Sequence, residues 1–133
     1  MKSEKTLDAL KIRSNRRRAE SKGRNAEAIT AAWFETQGYT TLARRLRTSR
    51  GELDLIVADA SMVIFVEVKA RRTARVAAES ITSRQQARLI GAAEIALAEN
   101  ADWQRDATRF DVILVVSGAI ISIPDAFRPG DLQ

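Results

Sequence analysis

Two rhythms of apolar residues run through this chain, and the points where one gives way to the other outline its elements. From about Glu20 to Gln37 the spacing is helical, with Ala26, Ile29, Trp33 and Thr36 on one stripe and Ala32 beside them. Gly38 stands where a left-handed glycine closes a helix, and Tyr39 follows as the hydrophobic contact that such a closure uses. The rhythm then shifts towards period two. "YTTLARRLR" (Tyr39–Arg47) reads as an edge or half-exposed strand, its Ala and Arg content leaving helix open, and "RTSRG" (Arg47–Gly51) reads as a turn. "ELDLIVA" (Glu52–Ala58) and "MVIFVEVK" (Met62–Lys69) are strands separated by "DAS". The Ala- and Arg-rich "ARRTARVAAES" carries no assignable rhythm. Ser83-Arg84-Gln85-Gln86 has the S-x-x-Q form of a capping box and opens a helix to about Asn100, with Leu89, Ala93, Ala96 and Leu97 inward. "RFDVILVV" (Arg109–Val116) is the most strand-like run, and Ser117-Gly118 turns it into "AIISI" (Ala119–Ile123), which Pro124 stops.

The resulting order is α-β-β-β-α-β-β without internal repeat, and 133 residues make one domain with a core of ordinary size. Three strands in succession imply an antiparallel meander, and the strand after the second helix can rejoin the same sheet by a crossover. The fold class expected is α/β, a mixed sheet flanked by helices. Residues 1–18 form a basic N-terminal arm ahead of a single domain over 19–133.

The central hairpin raises a chemical question. If Glu52–Ala58 and Met62–Lys69 are joined by the two-residue loop Ala60-Ser61, then Leu53 faces Val68, Leu55 faces Val66 and Val57 faces Ile64, an apolar face. The other face pairs Glu52 with Lys69, Asp54 with Glu67, Ile56 with Phe65 and Ala58 with Val63. Opposed residues lie about 5 Å apart at Cβ, where like charges are destabilising. Asp54 and Glu67 tolerate that placement if one is protonated, if Lys69 bridges them, or if a divalent cation lies between them. A surface ion-pair network is the bland alternative. The greasy flanks argue instead for a cleft, and carboxylates gathered in a cleft beside a lysine are a site candidate.

Composition narrows the chemistry. The sequence has no His and no Cys. Zinc sites of the usual nitrogen and sulfur type, Ser-His-Asp and Cys-His nucleophiles and disulfides are therefore excluded, and carboxylate, Lys, Ser/Thr and Tyr chemistry remains. Clustered carboxylates favour hard ions such as Mg²⁺ or Mn²⁺. No apolar run approaches the ~20 residues a membrane span needs, and the N-terminus lacks the apolar core of a signal peptide, so a cytoplasmic location is expected. The net charge of +5 is uneven: residues 1–24 hold nine Lys/Arg against three Asp/Glu, while the rest hold thirteen against fourteen. A basic arm on a near-neutral body suits a polyanionic partner, nucleic acid before membrane, with a solubilising tail as the alternative.

Asp54…Glu67-Val68-Lys69 on adjacent strands resembles the D…ExK signature of the PD-(D/E)xK nuclease superfamily, whose fold is restriction-endonuclease-like with an αβββαβ core. More narrowly, "GRNAEAITAAWFETQGY", "GELDLIVAD", "VIFVEVKAR", "RQQARLIGAA" and "RFDVIL" are similar to the YraN-type uncharacterised protein family, the UPF0102 group, over about Gly23 to Val116. The resemblance implies a bacterial cytoplasmic protein, similar to Holliday-junction resolvases. Carried over by motif, it implies that Asp54 and Glu67 ligate the divalent metal, that Val68 lends a backbone carbonyl, and that Lys69 orients the attacking water or stabilises phosphorane charge. Glu27 on the first helix matches the family's helix carboxylate and would complete the metal shell; an exposed helix glutamate is the alternative. Glu52 follows the turn glycine of the GE(I/L)D motif, where it pairs with Lys69 or Arg71. Gln85 stands where this family often carries Lys.

Arg44, Arg45, Arg47, Arg50, Arg71, Arg72 and Arg75 flank the site strands, and Arg47, Arg50, Arg71, Arg72, Gln85 and Arg88 are the candidates for nucleic-acid contact. The function expected is that of a nucleic-acid-binding protein and divalent-metal-dependent endonuclease, acting on DNA rather than RNA and on branched or structured forms. The alternatives are a catalytically weak binding module with the same fold, and a protein-interaction scaffold that docks through its basic arm. Ala119–Ile123 or the arm could serve a homodimer interface.

Overall fold

The computed structural model describes residues 25–73 and 81–132, so the basic arm, the start of the first helix and most of "ARRTARVAAES" lie outside the described residues. The first described element is an α-helix over residues 25–36 (α1). Its buried positions are Ala26, Glu27, Thr30, Ala31 and Phe34; Ile29 and Trp33 are partly covered, while Ala32 and Thr36 are exposed. The inward stripe is thus rotated from the one expected. Thr30 explains the shift: it is fully buried because its hydroxyl donates to the Ala26 carbonyl at 2.7 Å, which removes the cost of hiding it. Counting Thr30 as a polar position hides the centre of the face.

The helix ends as its glycine indicated. Gly38, at φ +90°, donates to Glu35 O at 3.1 Å, and the Tyr39 N–H reaches back to Phe34 O at 3.2 Å. Those two bonds are a Schellman closure, and the Phe34 and Tyr39 rings meet edge to face at 5.7 Å as its apolar contact.

Five strands and a second helix follow: β1 (Thr40–Thr48), β2 (Gly51–Ala58), β3 (Met62–Arg71), α2 (Ser83–Glu99), β4 (Ala107–Val116) and β5 (Ala119–Ile123), with short 3₁₀ turns at Ala101–Trp103 and Pro129–Leu132. They form one sheet in sequential order, with β3 and β4 parallel and every other pair antiparallel. The parallel pair is joined through α2, as a parallel connection requires. This five-stranded mixed sheet, with α1 packed on one face and α2 on the other, is consistent with a restriction-endonuclease-like fold. Among the described residues, no helix is long and apolar enough to cross a membrane.

Both sheet faces are covered, which accounts for the nearly unbroken apolar run of β3. Leu55, Val57, Ile64, Val66, Ile113 and Val115 pack with α1, whereas Ile56, Phe65, Phe110, Val112 and Leu114 pack with α2. β4 begins two residues before the expected Arg109. β5 follows it through Ser117-Gly118, whose positive φ values of 50° and 79° give the hairpin twist.

The capping box of α2 sits one residue earlier than the sequence pattern placed it. Thr82, not Ser83, is the N-cap: its Oγ1 accepts from the Gln85 N–H at 3.2 Å, and the Gln85 side chain accepts from the Thr82 N–H at 3.1 Å. Both T-x-x-Q and S-x-x-Q are present in "TSRQQ", and the pattern alone cannot choose between them.

Candidate active site

The site arises where β2 and β3 part. Asp59 closes their two-residue loop, its Oδ1 accepting from the N–H groups of Ser61 at 2.9 Å and Met62 at 2.8 Å. The register is the expected one for Ala58↔Val63, Val57↔Ile64, Ile56↔Phe65 and Leu55↔Val66. The ladder then stops, although β3 stays paired to β4 as far as Arg71↔Val116. The expected oppositions of Leu53 with Val68, Asp54 with Glu67 and Glu52 with Lys69 are therefore not ladder pairs. Leu53 leaves the face of Leu55 and Val57 and packs with Ile56 in the α2 core. Strict alternation fails here because β2 swings away from β3 and follows β1, pairing to the end at Thr48↔Gly51.

A side chain fills the gap in the ladder. The Val68 N–H, with no β2 carbonyl to meet, donates to Asp54 Oδ2 at 2.9 Å. Val68, expected as a carbonyl ligand, thus enters the site first through its N–H, which fixes the Asp54 carboxylate. The charges of Asp54 and Glu67 are close enough to influence each other, and Lys69 Nζ lies 3.2 Å from Glu67 Oε1 with both of those side chains largely covered. Burial, then the Asp54 charge, push the Glu67 carboxyl up to about 7; Lys69 counters only in part. Burial likewise raises Asp54, against the opposing pull of the Val68 N–H. Of the influences on how two carboxylates share this spot, burial and the Asp54 charge favour a proton on Glu67, while the Lys69 ammonium favours its ionised form.

Glu27 is not an exposed helix glutamate. It is 8 % exposed, and its Oε2 is a buried atom without a hydrogen-bond partner. Burial first, then the Asp54 charge, raise its carboxyl above the ordinary range. Glu52 takes a different partner from those expected: it lies 3.8 Å from Arg45 Nε and 3.5 Å from Arg47 Nε, not against Lys69 or Arg71. Lys69 is committed to Glu67, and β2 carries Glu52 out towards β1 beyond the fork.

Among the described residues, no group of three or more carboxylates stands close enough to form a ready-made metal cage. The donor set still fits a hard divalent ion. It is all oxygen, Asp54 is oriented by the Val68 N–H, and Glu27 supplies a buried acceptor oxygen without a hydrogen-bond partner. Asp54 and Glu67 would hold Mg²⁺ or Mn²⁺, with Glu27 as a nearby carboxylate that the site does not yet bring into the same group.

The candidate nucleic-acid residues fall into two groups. Arg47, Arg50 and Arg88 gather where the β1–β2 turn meets α2. The Arg47 side chain is 90 % exposed. The Arg50 guanidinium lies against Gly91, where an added Cβ would come within 2.7 Å of its Nε, and the Arg88 stem lies over Gly51. Arg71 and Arg72 instead line a cavity of about 570 Å³ with Asn25, Ile29, Val115 and Ser117. Gln85 is occupied by the α2 cap. Arg75 lies outside the described residues. The residue that sequence reasoning missed as part of the site is Arg45, one flanking arginine among many; no linear pattern marks it.

The profile of the Uncharacterised protein family UPF0102 matches residues 26–115, from α1 to the end of β4. A UPF0102 protein of Acidiphilium cryptum is 54 % identical over 116 residues, covering 87 % of this chain and 91 % of that protein. UPF0102 proteins of Azorhizobium caulinodans and Pseudomonas aeruginosa are 46 % and 41 % identical, each across 77 % of this chain and 79 % and 83 % of their own lengths. The matched span runs over Glu27, the fork between β2 and β3, and α2, and on that match and these relatives the chain belongs to the UPF0102 family.

Proposed function

We propose that this protein is a divalent-metal-dependent endonuclease that cleaves phosphodiester bonds in DNA, branched or structured DNA in particular. The observation that carries the reading is the cluster at the fork, where Asp54 is fixed by the Val68 N–H and the largely covered Glu67 is paired with Lys69 at 3.2 Å. Burying two acids together costs the fold free energy, and a site that keeps them so suits chemistry better than surface ion pairing. Asp54 is held in one orientation by the Val68 N–H. Glu67, with its proton lost, adds the second carboxylate oxygen. A bound Mg²⁺ or Mn²⁺ supplies an acidified water and offsets charge on the scissile phosphate. Lys69 stands where an ammonium can hold that water or a phosphate oxygen, and the arginines on either side contact the flanking phosphates.

A second reading, a binding module of the same fold with weak catalysis, is favoured by one observation: Gln85 on α2 is spent on the Thr82 cap, leaving Arg84 and Arg88 as the cations in the first two turns of that helix for phosphate. One experiment separates the two. Duplex, single-stranded, flap and four-way-junction DNA, and RNA, are incubated with Mg²⁺ or Mn²⁺ and wild type, Asp54→Ala or Glu67→Ala. Cleavage lost in both variants with binding retained supports the nuclease and names its substrate. Salt-sensitive binding without cleavage under either metal supports the binding module.

A further inference from the structure

Arg45 stands out on backbone grounds before its side chain is considered. Among the described residues three non-glycine positions have positive φ, and Ser117 and Asp125 are in turns; only Arg45, at φ 53°, lies inside a strand. A left-handed arginine in a strand is disfavoured and persists only where something holds it. Its neighbours Arg44 and Leu46 pair with Leu55 and Leu53, so Arg45 stands across the β1–β2 ladder from Asp54.

The side chain goes to the carboxylates. Arg45 Nε lies 3.9 Å from Glu27 Oε2 and 3.8 Å from Glu52 Oε1. The pairing is loose: Glu27 Oε2, 3.9 Å from this guanidinium, is still without a hydrogen-bond partner. A structural ion pair in the same molecule looks quite different. Arg109 grips the buried Asp111 with two bonds of 2.8 Å, and the Asp125 N–H completes that carboxylate at 3.0 Å. Arg45 balances charge without satisfying the acceptor, and its side chain is 45 % exposed and can withdraw.

We infer that Arg45 is the built-in counter-cation of the Glu27–Glu52–Asp54 patch, occupying the ground that a divalent ion would take and competing with it, so that metal entry displaces the guanidinium. The inference rests on the proposed metal reading of the same site and adds a residue acting on metal affinity. Without a guanidinium to displace from these carboxylates, a divalent ion binds about tenfold more tightly.

The test is Mn²⁺ titration of the full-length protein, followed calorimetrically and by electron paramagnetic resonance, with wild type, Arg45→Ala, Arg45→Asn and Asp54→Asn. Arg45→Asn keeps a residue type that tolerates left-handed backbone. The expected result is about tenfold tighter Mn²⁺ binding in both Arg45 variants and weaker binding in Asp54→Asn. Unchanged or weaker binding in both Arg45 variants, with Asp54→Asn still weakening it, overturns the inference and leaves the metal reading standing. If no variant binds Mn²⁺, the metal reading fails, and a thermal-melting cycle in chelator (Arg45→Ala, Glu27→Gln and the double variant) decides the counter-cation role. A double variant less destabilised than the sum of the singles supports it; additivity overturns it.

Discussion

Glu67 follows the apolar run of β3, and burial pushes its carboxyl up to about 7. An acid whose pKa is raised by folding binds its proton more tightly in the native state than in the unfolded chain. Between its ordinary value of 4.5 and about 7 the native state therefore holds more protons, and its stability falls as pH rises through that window. Glu27 and Asp54 are shifted the same way and add to the slope. Glu67→Gln, which never ionises, is thus expected to be more stable than wild type at pH 8, by roughly 2 kcal/mol, and about equal to it at pH 5. Thermal melts in chelator at the two pH values check this; equal melting temperatures at pH 8 would show that Glu67 carries no burial penalty. At this scale Asp54, Glu67 and Lys69 were legible, because a carboxylate in a greasy strand announces itself in the pattern. Arg45 and the orphaned oxygen of Glu27 were not, since a backbone dihedral angle and a missing partner leave no mark on the residue sequence.

At the scale of elements, local chemistry decided more than periodicity. The α-β-β-β-α-β-β order, the Gly38 closure and the loop Ala60-Ser61 could be read directly because each rests on a residue with one favoured conformation or on a period that only one element shares. The fork could not, because alternation describes a strand paired along its whole length, and β2 leaves β3 at Leu55. The α2 cap lies between these cases: the motif was visible but doubled, and tertiary placement selected Thr82. Thr82→Ala removes the oxygen that accepts from Gln85 N–H and should cost about 1 kcal/mol in urea unfolding, whereas Ser83→Ala should cost only a few tenths. Equal effects would mean that the cap shifts freely between the two hydroxyls. Because Arg84 and Arg88 ride on this first part of α2, a frayed cap should also weaken nucleic-acid binding.

For the molecule as a whole, the charge is divided from the site. Residues 1–24 carry a net +6, and the remainder, which contains every candidate catalytic residue, is close to neutral. On the proposed nuclease reading, local arginines would meet phosphate near Asp54 and Glu67, and long-range attraction would come largely from the arm. Neutralising one phosphate contact lowers the magnitude of the slope of log affinity against log salt by about 0.9 for duplex DNA. Replacing Arg13, Arg16, Arg17 and Arg18 together by Gln in the full-length protein should therefore reduce that slope by between about 2 and about 4 if the arm lies along the backbone. It should leave the cleavage position unchanged, because sequence or junction choice belongs to the site and its flanking arginines. The measurement is anisotropy of a labelled four-way junction over a salt series in Ca²⁺, which supports docking without turnover. An unchanged slope would remove the arm from the proposed DNA interface and hand the whole electrostatic task to Arg47, Arg50, Arg71, Arg72 and Arg88, on a body whose charges nearly cancel; the scaffold role for the arm would then gain the argument that the nuclease reading had lost.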